Sequence, residues 1–203
     1  AMPKKKSSNE PIEYIDSRAF DEAKEKIIGK SHNDKGIGTL SEKTLHAVLK
    51  MYYEPDEDNH EVAIDGYYAD IYNEHGIIEI QTRQLNKLRD KLSVFLNEYQ
   101  VRVVYPMPYE KYLSWIEPET GDITSRRKSP KRCSMYDAMF ELYKIKAFLK
   151  NPNLKVTLLL IDIEEYKLLN GWSYDKKRGS VRYDRIPVGI RTVSYTHLTL
   201  PTT

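Results

Sequence analysis

Residues 69–82, ADIYNEHGIIEIQT, place two acidic side chains in segments that otherwise have the pattern of buried strands. Asp70 follows an apolar and aromatic run, and Glu79 lies within the isoleucine-rich segment 77–80. Carboxylates are rarely buried in strands unless a partner pairs with them. The segment 73–76 ends in a glycine, which tolerates positive φ, and so predicts a hairpin that brings the two acids together.

Helical and strand patterns alternate on both sides of this hairpin. Apolar side chains at helical spacing predict helices over about 16–28, 41–53, 83–98 and 135–149. Strands are predicted over 62–64, 67–71, 77–81, 101–105 (ending at Pro106) and 156–163. The last of these is a continuous apolar run, which is typical of a strand covered on both faces. This order of elements predicts an α/β fold with a mixed central β-sheet flanked by helices.

Composition and charge exclude several classes of protein. The apolar content of 40% and charged content of 31% indicate a globular chain rather than a disordered one. No apolar run approaches the ~20 residues of a membrane helix, and no signal peptide is visible, so we expect a cytoplasmic protein. The single cysteine, Cys133, excludes an internal disulfide and a zinc site built from several thiolates.

The 203 residues are enough for one domain with its own core. We expect that domain to span residues 12–190, with its central part at about 38–105. Residues 1–11 are rich in lysine, serine and proline and are predicted to be disordered. Residues 191–203 resemble translated sequencing-adapter read-through from metagenomic gene predictions, so we expect a non-native tail.

The succession of helix, acidic hairpin, strand with Glu-x-Gln, helix and strand resembles the PD-(D/E)xK nuclease superfamily over about residues 38–105. The resemblance implies a restriction-endonuclease-like or resolvase-like core in which Asp70, Glu79 and Gln81 form the catalytic motif. It also implies that Asp70, Glu79 and the backbone carbonyl of Ile80 hold Mg²⁺ or Mn²⁺. Such an ion would polarise the scissile phosphate and acidify a water that attacks phosphorus.

Strand geometry and ion chemistry agree with this hypothesis, with one departure. Residues two apart on a strand share a face, so Glu79 and Gln81 point the same way. Mg²⁺ is a hard cation held by one or two carboxylates plus waters and phosphate oxygens. Gln81 stands where the family usually has lysine, and glutamine can position a water but supplies no charge. Arg83 or Lys87, on the following helix, is expected to supply that charge instead.

Two further acids are possible accessory residues. Asp65 also fits the family's spacing to Glu79, although Asp70 joins directly to the hairpin. Glu42 matches a glutamate that resolvase-type nucleases place near the metal. The segment 39–42 also fits a helix-capping box, and we prefer this structural interpretation.

Two basic clusters favour a nucleic-acid partner. The first comprises Arg126, Arg127, Lys128, Lys131 and Arg132, and the second Lys176, Lys177 and Arg178. Such clusters suit phosphate contacts, but solvated loops have the same composition. The net charge of only +2 does not by itself indicate a polyanionic partner. DNA is favoured only because the basic clusters accompany the acidic motif.

The sequence therefore predicts a Mg²⁺- or Mn²⁺-dependent endonuclease that hydrolyses phosphodiester bonds in DNA, as a monomer or a homodimer. Two alternatives stay open. One is a nucleic-acid-binding protein that has kept the nuclease fold and lost the chemistry, which Gln81 favours. The other is a non-catalytic accessory protein of a mobile element.

Overall fold

The computed structural model describes residues 16–34, 43–117, 119–130, 133, 135–168 and 182–195. Its helices are α1 (Ser17–Asp34), α2 (Lys43–Tyr53), α3 (Arg89–Phe95) and α4 (Met135–Tyr143), with short 3-10 helices at Glu57–Asn59 and Leu85–Leu88. Its strands are β1 (His60–Ile64), β2 (Tyr67–Asn73), β3 (Gly76–Ile80), β4 (Val101–Ile116), β5 (Arg127–Lys128), β6 (Leu154–Leu168) and β7 (Arg182–Tyr195). In this part of the chain no helix is long and apolar enough to span a membrane.

The strands form one mixed sheet in the order β1-β2-β3-β4-β6-β7, with β5 beside β4. β4 is parallel to both β3 and β6. The remaining neighbours are antiparallel. The predicted fold class is therefore confirmed, whereas the likeness to a restriction-endonuclease core stays a prediction.

Helices cover both faces of the central strands. On one face, α1 and α2 pack through Phe20, Leu45, Val48, Leu49, Ile71, Ile78, Ile80, Leu159 and Ile161. On the other face, α3 and α4 pack through Ile77, Leu88, Leu92, Phe95, Val103, Ala138, Leu142 and Leu158. β6 contributes buried side chains to both clusters, which explains why its sequence is a nearly continuous apolar run.

The predicted helices exist, but several of their bounds differ from the prediction. α1 continues to Asp34 rather than ending near residue 28, and the helix predicted over 83–98 is a 3-10 helix (Leu85–Leu88) followed by the short α3 (Arg89–Phe95). Asp16 caps α1 as expected, because its Oδ1 accepts the N–H groups of Arg18 and Ala19 at 3.0 and 3.1 Å. α4 ends at Tyr143 rather than near residue 149, and turns follow it. In those turns the N–H of Phe148 bonds to the carbonyl three residues earlier, the tighter pattern typical of helix ends.

The prediction that Pro106 ends a strand is wrong, because β4 continues to Ile116. Val104 faces β3 and accepts the N–H of Gln81, and it is also the last β4 residue paired with β3. Alternate residues on a strand present their backbone groups to the same edge, so Pro106 and Pro108 face the edge that β3 has already left. Their missing N–H groups therefore cost no ladder hydrogen bond, while pairing with β6 continues on the opposite edge.

Strand β7 was not predicted, and it runs past the domain boundary expected at residue 190. It pairs antiparallel with β6 as far as Tyr195 opposite Thr157. The first residues of the expected non-native tail therefore belong to the sheet. Residues 1–11, expected to be disordered, lie outside the described residues.

Gly76 permits the turn that joins β2 to β3. Its φ is +105°, and a Cβ added there would lie 2.3 Å from the backbone carbonyl oxygen of Gln100. The Asn73 side chain shapes the same turn by accepting the N–H of His75 at 3.0 Å. Glycine is thus required both by the backbone conformation and by the close approach of the chain.

Gly76→Ala is expected to lower the free energy of unfolding by about 2 kcal/mol or more, because it combines a strained φ with a backbone overlap. Gly66→Ala is the matched control: its φ is +84°, but nothing lies within 4 Å of the added Cβ. The control should cost about 1 kcal/mol, the strain alone. Urea denaturation measures both losses, and equal losses would show that the Gln100 contact does not matter.

Candidate functional site

β2 separates from β3 at Asp70. Counting away from the turn, the last regular pair between β2 and β3 joins Ile71 to Ile78. Beyond it, Oδ2 of Asp70 accepts the N–H of Ile80 at 2.7 Å, so a side chain replaces the backbone acceptor. Ala69 packs on the α3 face and Ile71 on the α2 face. Because alternate residues of a regular strand share a face, β2 must be twisted at Asp70.

Strand β1 is irregular at Glu61, the residue opposite Asp70 of β2. Regular pairs flank Glu61 on β1, which itself has a φ of +51°. A non-glycine residue in this region carries roughly 1–2 kcal/mol of strain. The Glu61 side chain accepts a hydrogen bond from Lys50 on α2. Strain of this kind persists where the surrounding structure fixes it, and it is common at functional sites.

A cleft of about 620 Å³ opens where the strands separate. Its polar lining is His46, Lys50, Asp70, Glu79, Gln81, Thr82, Arg83, Gln84, Lys87 and Lys91, together with Ile80. The structure thus brings together Asp70, Glu79, Ile80 and Gln81 with both proposed sources of positive charge, Arg83 and Lys87. The alternative acid Asp65 is exposed in the turn between β1 and β2 and does not line the cleft. Glu42 lies outside the described residues.

Glu79 is buried, with 2% of its side chain exposed, and it is paired with Lys91 of α3. Nζ of Lys91 donates to Oε1 and Oε2 of Glu79 at 3.1 and 2.9 Å. The same ammonium donates to the carbonyl of Tyr68 on β2 at 2.6 Å. One lysine therefore connects both strands of the hairpin from the α3 face.

Asp70 is held from the opposite side by His46 of α2, whose Nε2 lies 3.2 Å from Oδ2. An ionised carboxylate can only accept hydrogen bonds, so Nε2 must carry the hydrogen. Burial, the largest influence, raises the pKa of Asp70. The hydrogen bond and charge of His46, the Ile80 N–H and the charge of Lys91 outweigh it, so the pKa lies below its ordinary value.

The pKa of Glu79 moves the other way, to about 7. Burial is the main cause and the negative charge of Asp70 adds to it, while Lys91 opposes both. One carboxyl is thus ionised over the whole neutral range while its neighbour titrates near pH 7. Pairs of acids whose environments push their pKa values apart are frequent at functional sites.

Gln81 and Ile80 present different groups to the cleft. The amide of Gln81 donates to the carbonyl of Arg83. This bond stabilises the turn after β3, where Gln84 has a φ of +58°. The N–H and C=O of one strand residue point to the same edge. The Ile80 carbonyl therefore faces the edge that β2 has left, on the side of Asp70.

A divalent cation fits the chemistry of this edge. Among the described residues, no three His, Cys, Asp or Glu side chains form a complete ligand set. Two carboxylates and a backbone carbonyl nevertheless converge there, and these are hard oxygen donors. Mg²⁺ is commonly held by one or two carboxylates and completes its shell with water and phosphate oxygens.

Three titratable residues of the cleft were missed by the sequence analysis: His46, Lys50 and Lys91. His46 and Lys50 lie four apart on α2, and Lys87 and Lys91 lie four apart after β3. This spacing places His46 and Lys50 on one face of α2, whereas Lys87 lies in the 3-10 helix Leu85–Leu88 and Lys91 in the first turn of α3. The spacing was visible in the sequence, but which lysine would reach Glu79 depends on how α3 packs.

The first basic cluster lies far from this cleft. Residues 127–128 pair with β4 at Tyr112, eight residues and about 25 Å beyond the end of β3. Arg126 lies 3.6 Å from the centroid of the Tyr112 ring and 3.7 Å from Glu164. Lys128 donates to Glu110 at 2.7 Å. These two cations are thus engaged within the protein, whereas Arg127 is exposed.

The other predicted phosphate-binding residues, Lys131, Arg132, Lys176, Lys177 and Arg178, lie outside the described residues. Phosphate contacts by either basic cluster stay a prediction. The cations that the structure does place beside the acidic pair are those of the cleft.

Fold and site together define a mixed α/β protein with an acidic pair and several cations in one cleft at the end of a central strand. The chain belongs to the family described as Domain of unknown function (DUF8091), which matches residues 43–196 and so includes every cleft residue. An "Uncharacterized protein" of Treponema pallidum (strain Nichols) is 32% identical over 150 residues. The match covers 73% of this chain and 57% of that relative, so the chain spans little more than half its length. No solved structure matches the chain.

Glu79 is expected to make the protein less stable as the pH rises from about 4.5 to about 7. Its folded pKa of about 7 exceeds the ordinary value of 4.5, so only the folded chain keeps the proton in this interval. The stabilising contribution is complete below the lower value and is lost above the upper one. Glu79→Gln stays neutral and should therefore gain stability relative to the wild type across this window.

Urea denaturation at several pH values measures the difference between the two proteins. Glu74→Gln is the matched control, because Glu74 is 84% exposed in the same hairpin, and it should leave the profile unchanged. Parallel profiles for the wild type and Glu79→Gln would contradict the raised pKa.

Proposed function

We propose that this protein is a metal-dependent, endonuclease-like hydrolase of DNA phosphodiester bonds, acting in the cytoplasm as a monomer or a homodimer. The convergence of Asp70 and Glu79 at the edge where β2 leaves β3 carries this proposal. Both acids line one cleft with Gln81 and the Ile80 backbone. These are the positions named by the resemblance to PD-(D/E)xK nucleases.

Asp70, Glu79 and the Ile80 carbonyl would hold Mg²⁺ or Mn²⁺. When bound, such an ion polarises a phosphate oxygen and acidifies a coordinated water. The protein's part is to keep the ligands in place before the ion arrives. His46 and the Ile80 N–H both bond to Oδ2 of Asp70, so in this proposal Oδ1 is the oxygen that would bind the ion.

Lys91 is the residue best placed to supply the charge that Gln81 lacks. Its ammonium lies within 3.1 Å of both Glu79 oxygens, whereas the Gln81 amide is turned toward Arg83. In the proposed reaction, Lys91 stabilises the negative charge that develops on the phosphate next to Glu79. A preorganised cation in a partly buried site contributes more to such stabilisation than one in open solvent.

The rest of the cleft is suited to holding a polyanion. Arg83 and Lys87 lie on its wall beside the acidic pair, and Lys50 lies on the α2 side. Cations placed around a scissile phosphate position the backbone without reading its sequence. The proposal therefore predicts phosphate contacts at the cleft but no base preference from these three residues.

One observation favours the alternative of an inactive DNA-binding protein with a nuclease fold. Lys91 already contacts both oxygens of Glu79, so its ammonium neutralises this carboxylate and competes with a metal ion. In that alternative, the lysine has replaced the metal as the structural counter-ion. Removal of Lys91 distinguishes the active nuclease from the inactive DNA-binding protein. In either protein it frees Glu79 to bind a metal ion, but only in the active nuclease does it abolish a cleavage activity that the wild type has.

The test compares the wild type with Glu79→Gln, Lys91→Met and Lys87→Met by calorimetry with Mn²⁺ and by cleavage of linear, flapped and branched DNA. Glu79→Gln should lose Mn²⁺ binding and cleavage. Lys91→Met should keep or tighten Mn²⁺ binding while losing about 100-fold in cleavage rate, the scale of one electrostatic stabiliser. Lys87→Met is the matched control and should change the cleavage rate at saturating DNA only a few-fold.

Circular dichroism should show that all variants remain folded. Unchanged Mn²⁺ affinity in Glu79→Gln would contradict the metal site. Mn²⁺ and DNA binding by the wild type without cleavage of any substrate would favour the inactive, DNA-binding alternative.

A further inference from the structure

The Lys91 ammonium has as many acceptors within the protein as it has N–H groups. A lysine ammonium carries three such groups and no acceptor of its own. Three oxygens lie within 3.1 Å of Nζ, namely Oε1 and Oε2 of Glu79 and the carbonyl oxygen of Tyr68. Lys91 can therefore donate fully to a phosphate oxygen only if it releases one of these acceptors.

Glu79 is the acceptor at which another cation can replace Lys91. Only 2% of the Glu79 side chain is exposed, so water replaces the lysine there only poorly. A buried carboxylate without a partner is strongly disfavoured. A divalent ion held by Glu79 and Asp70 would satisfy this requirement in place of Lys91. Release of the lysine from Glu79 and arrival of the ion are therefore parts of one exchange.

Charge balance connects this exchange to a polyanion. When both carboxyls are ionised, Asp70, Glu79 and Lys91 together carry a single negative charge. A divalent ion added to these partly buried side chains would leave a net positive charge, which is costly away from water. A protonated His46 would make that charge larger. A phosphodiester supplies the missing negative charge and gives Lys91 the acceptor that it loses at Glu79.

The cleft gives a phosphate group access to Lys91. The lysine lines the cleft together with Arg83 and Lys87, and 24% of its side chain is exposed. Arg83 and Lys87 are exposed cations, which attract a phosphate backbone without reading its bases. The Lys91 ammonium lies at the end of a flexible four-carbon chain, so it can move from Glu79 to a phosphate while α3 stays in place.

We propose that Lys91 couples metal binding to nucleic-acid binding. In the free protein its ammonium occupies Glu79. When a strand enters the cleft, the ammonium transfers to a backbone phosphate, and Glu79 becomes available to the divalent ion. This inference rests on the proposed function and adds a regulation of the same site: the metal ion loads efficiently only together with DNA. Each ligand then raises the affinity for the other by the same factor.

Because the coupling is reciprocal, it can be measured as the gain in DNA affinity that a metal ion produces. The affinity of a short fluorescein-labelled duplex is determined by fluorescence anisotropy in EDTA and in saturating Ca²⁺, which takes the same kinds of oxygen ligand. Gel electrophoresis after each titration verifies that the duplex is intact. For the wild type, Ca²⁺ should tighten DNA binding by about tenfold or more, within the usual range for two coupled sites.

Lys91→Met and Lys91→Gln both remove the charge, and the glutamine amide can still donate a hydrogen bond. Each variant should reduce the gain from Ca²⁺ by at least about fivefold, because the ion then enters the site without DNA. Lys87→Met is the matched control. It removes an exposed cation of the same cleft and should weaken DNA binding equally with and without Ca²⁺. Circular dichroism verifies that the variants remain folded.

Glu79→Gln separates failure of the coupling from failure of the proposed function. This variant lacks the carboxylate ligand, so its gain measures the action of Ca²⁺ outside the site. Equal gains in the wild type and Glu79→Gln would contradict the metal site and, with it, the coupling. A larger gain in the wild type than in Glu79→Gln, retained in full by the folded Lys91 variants, would leave the metal site standing and overturn the coupling alone.

Discussion

The hydrogen bond from the Ile80 N–H to Oδ2 of Asp70 determines the shape of the cleft. An unsatisfied N–H at the end of a buried strand would cost free energy comparable to a lost hydrogen bond. By satisfying it with a side chain, β2 can turn away from β3 one residue earlier than the ladder would allow. The gap that results exposes the Ile80 edge between α2 on one face and α3 on the other. α2 then places the imidazole of His46 against Asp70, and α3 places the ammonium of Lys91 against Glu79.

The two carboxyls are neighbours, but their pKa values are shifted in opposite directions. Asp70 gains enough hydrogen bonds to remain ionised despite burial, and its charge then helps to raise the pKa of Glu79. A divalent cation would relieve this repulsion, because it interacts favourably with both charges at once. Lys91 relieves part of it already, which is why the same residue supports both a catalytic and a decayed interpretation. The hydrophobic clusters on either side keep the pair in a medium where these interactions are strong.

Local patterns in the sequence predicted much of the fold, and the features that they failed to predict have physical explanations. The hairpin at Gly76, the class of the sheet and the pairing of Asp70 with Glu79 in one cleft follow from strand periodicity and turn chemistry. The predicted end of β4 was wrong, because a proline disrupts a sheet only if the edge that its nitrogen faces is paired with another strand. Pro106 faces the β3 edge, and β3 ends before it reaches Pro106. Lys91 was missed because the choice between Lys87 and Lys91 depends on helix rotation against the sheet. The ion pairs of Arg126 with Glu164 and of Lys128 with Glu110 could not be predicted, because the acidic partners lie on distant segments of the sequence; phosphate contacts by these cations stay a prediction.

The most direct test of the central claim is the position of a bound cation. Crystals soaked in Mn²⁺ and measured at the manganese absorption edge locate the ion by its anomalous scattering. A peak between Oδ1 of Asp70 and the Glu79 carboxylate, beside the Ile80 carbonyl and with Lys91 displaced from at least one oxygen, is the expected result. A fully loaded crystal with manganese only at other positions, and Lys91 still on both oxygens of Glu79, would contradict the proposed metal site.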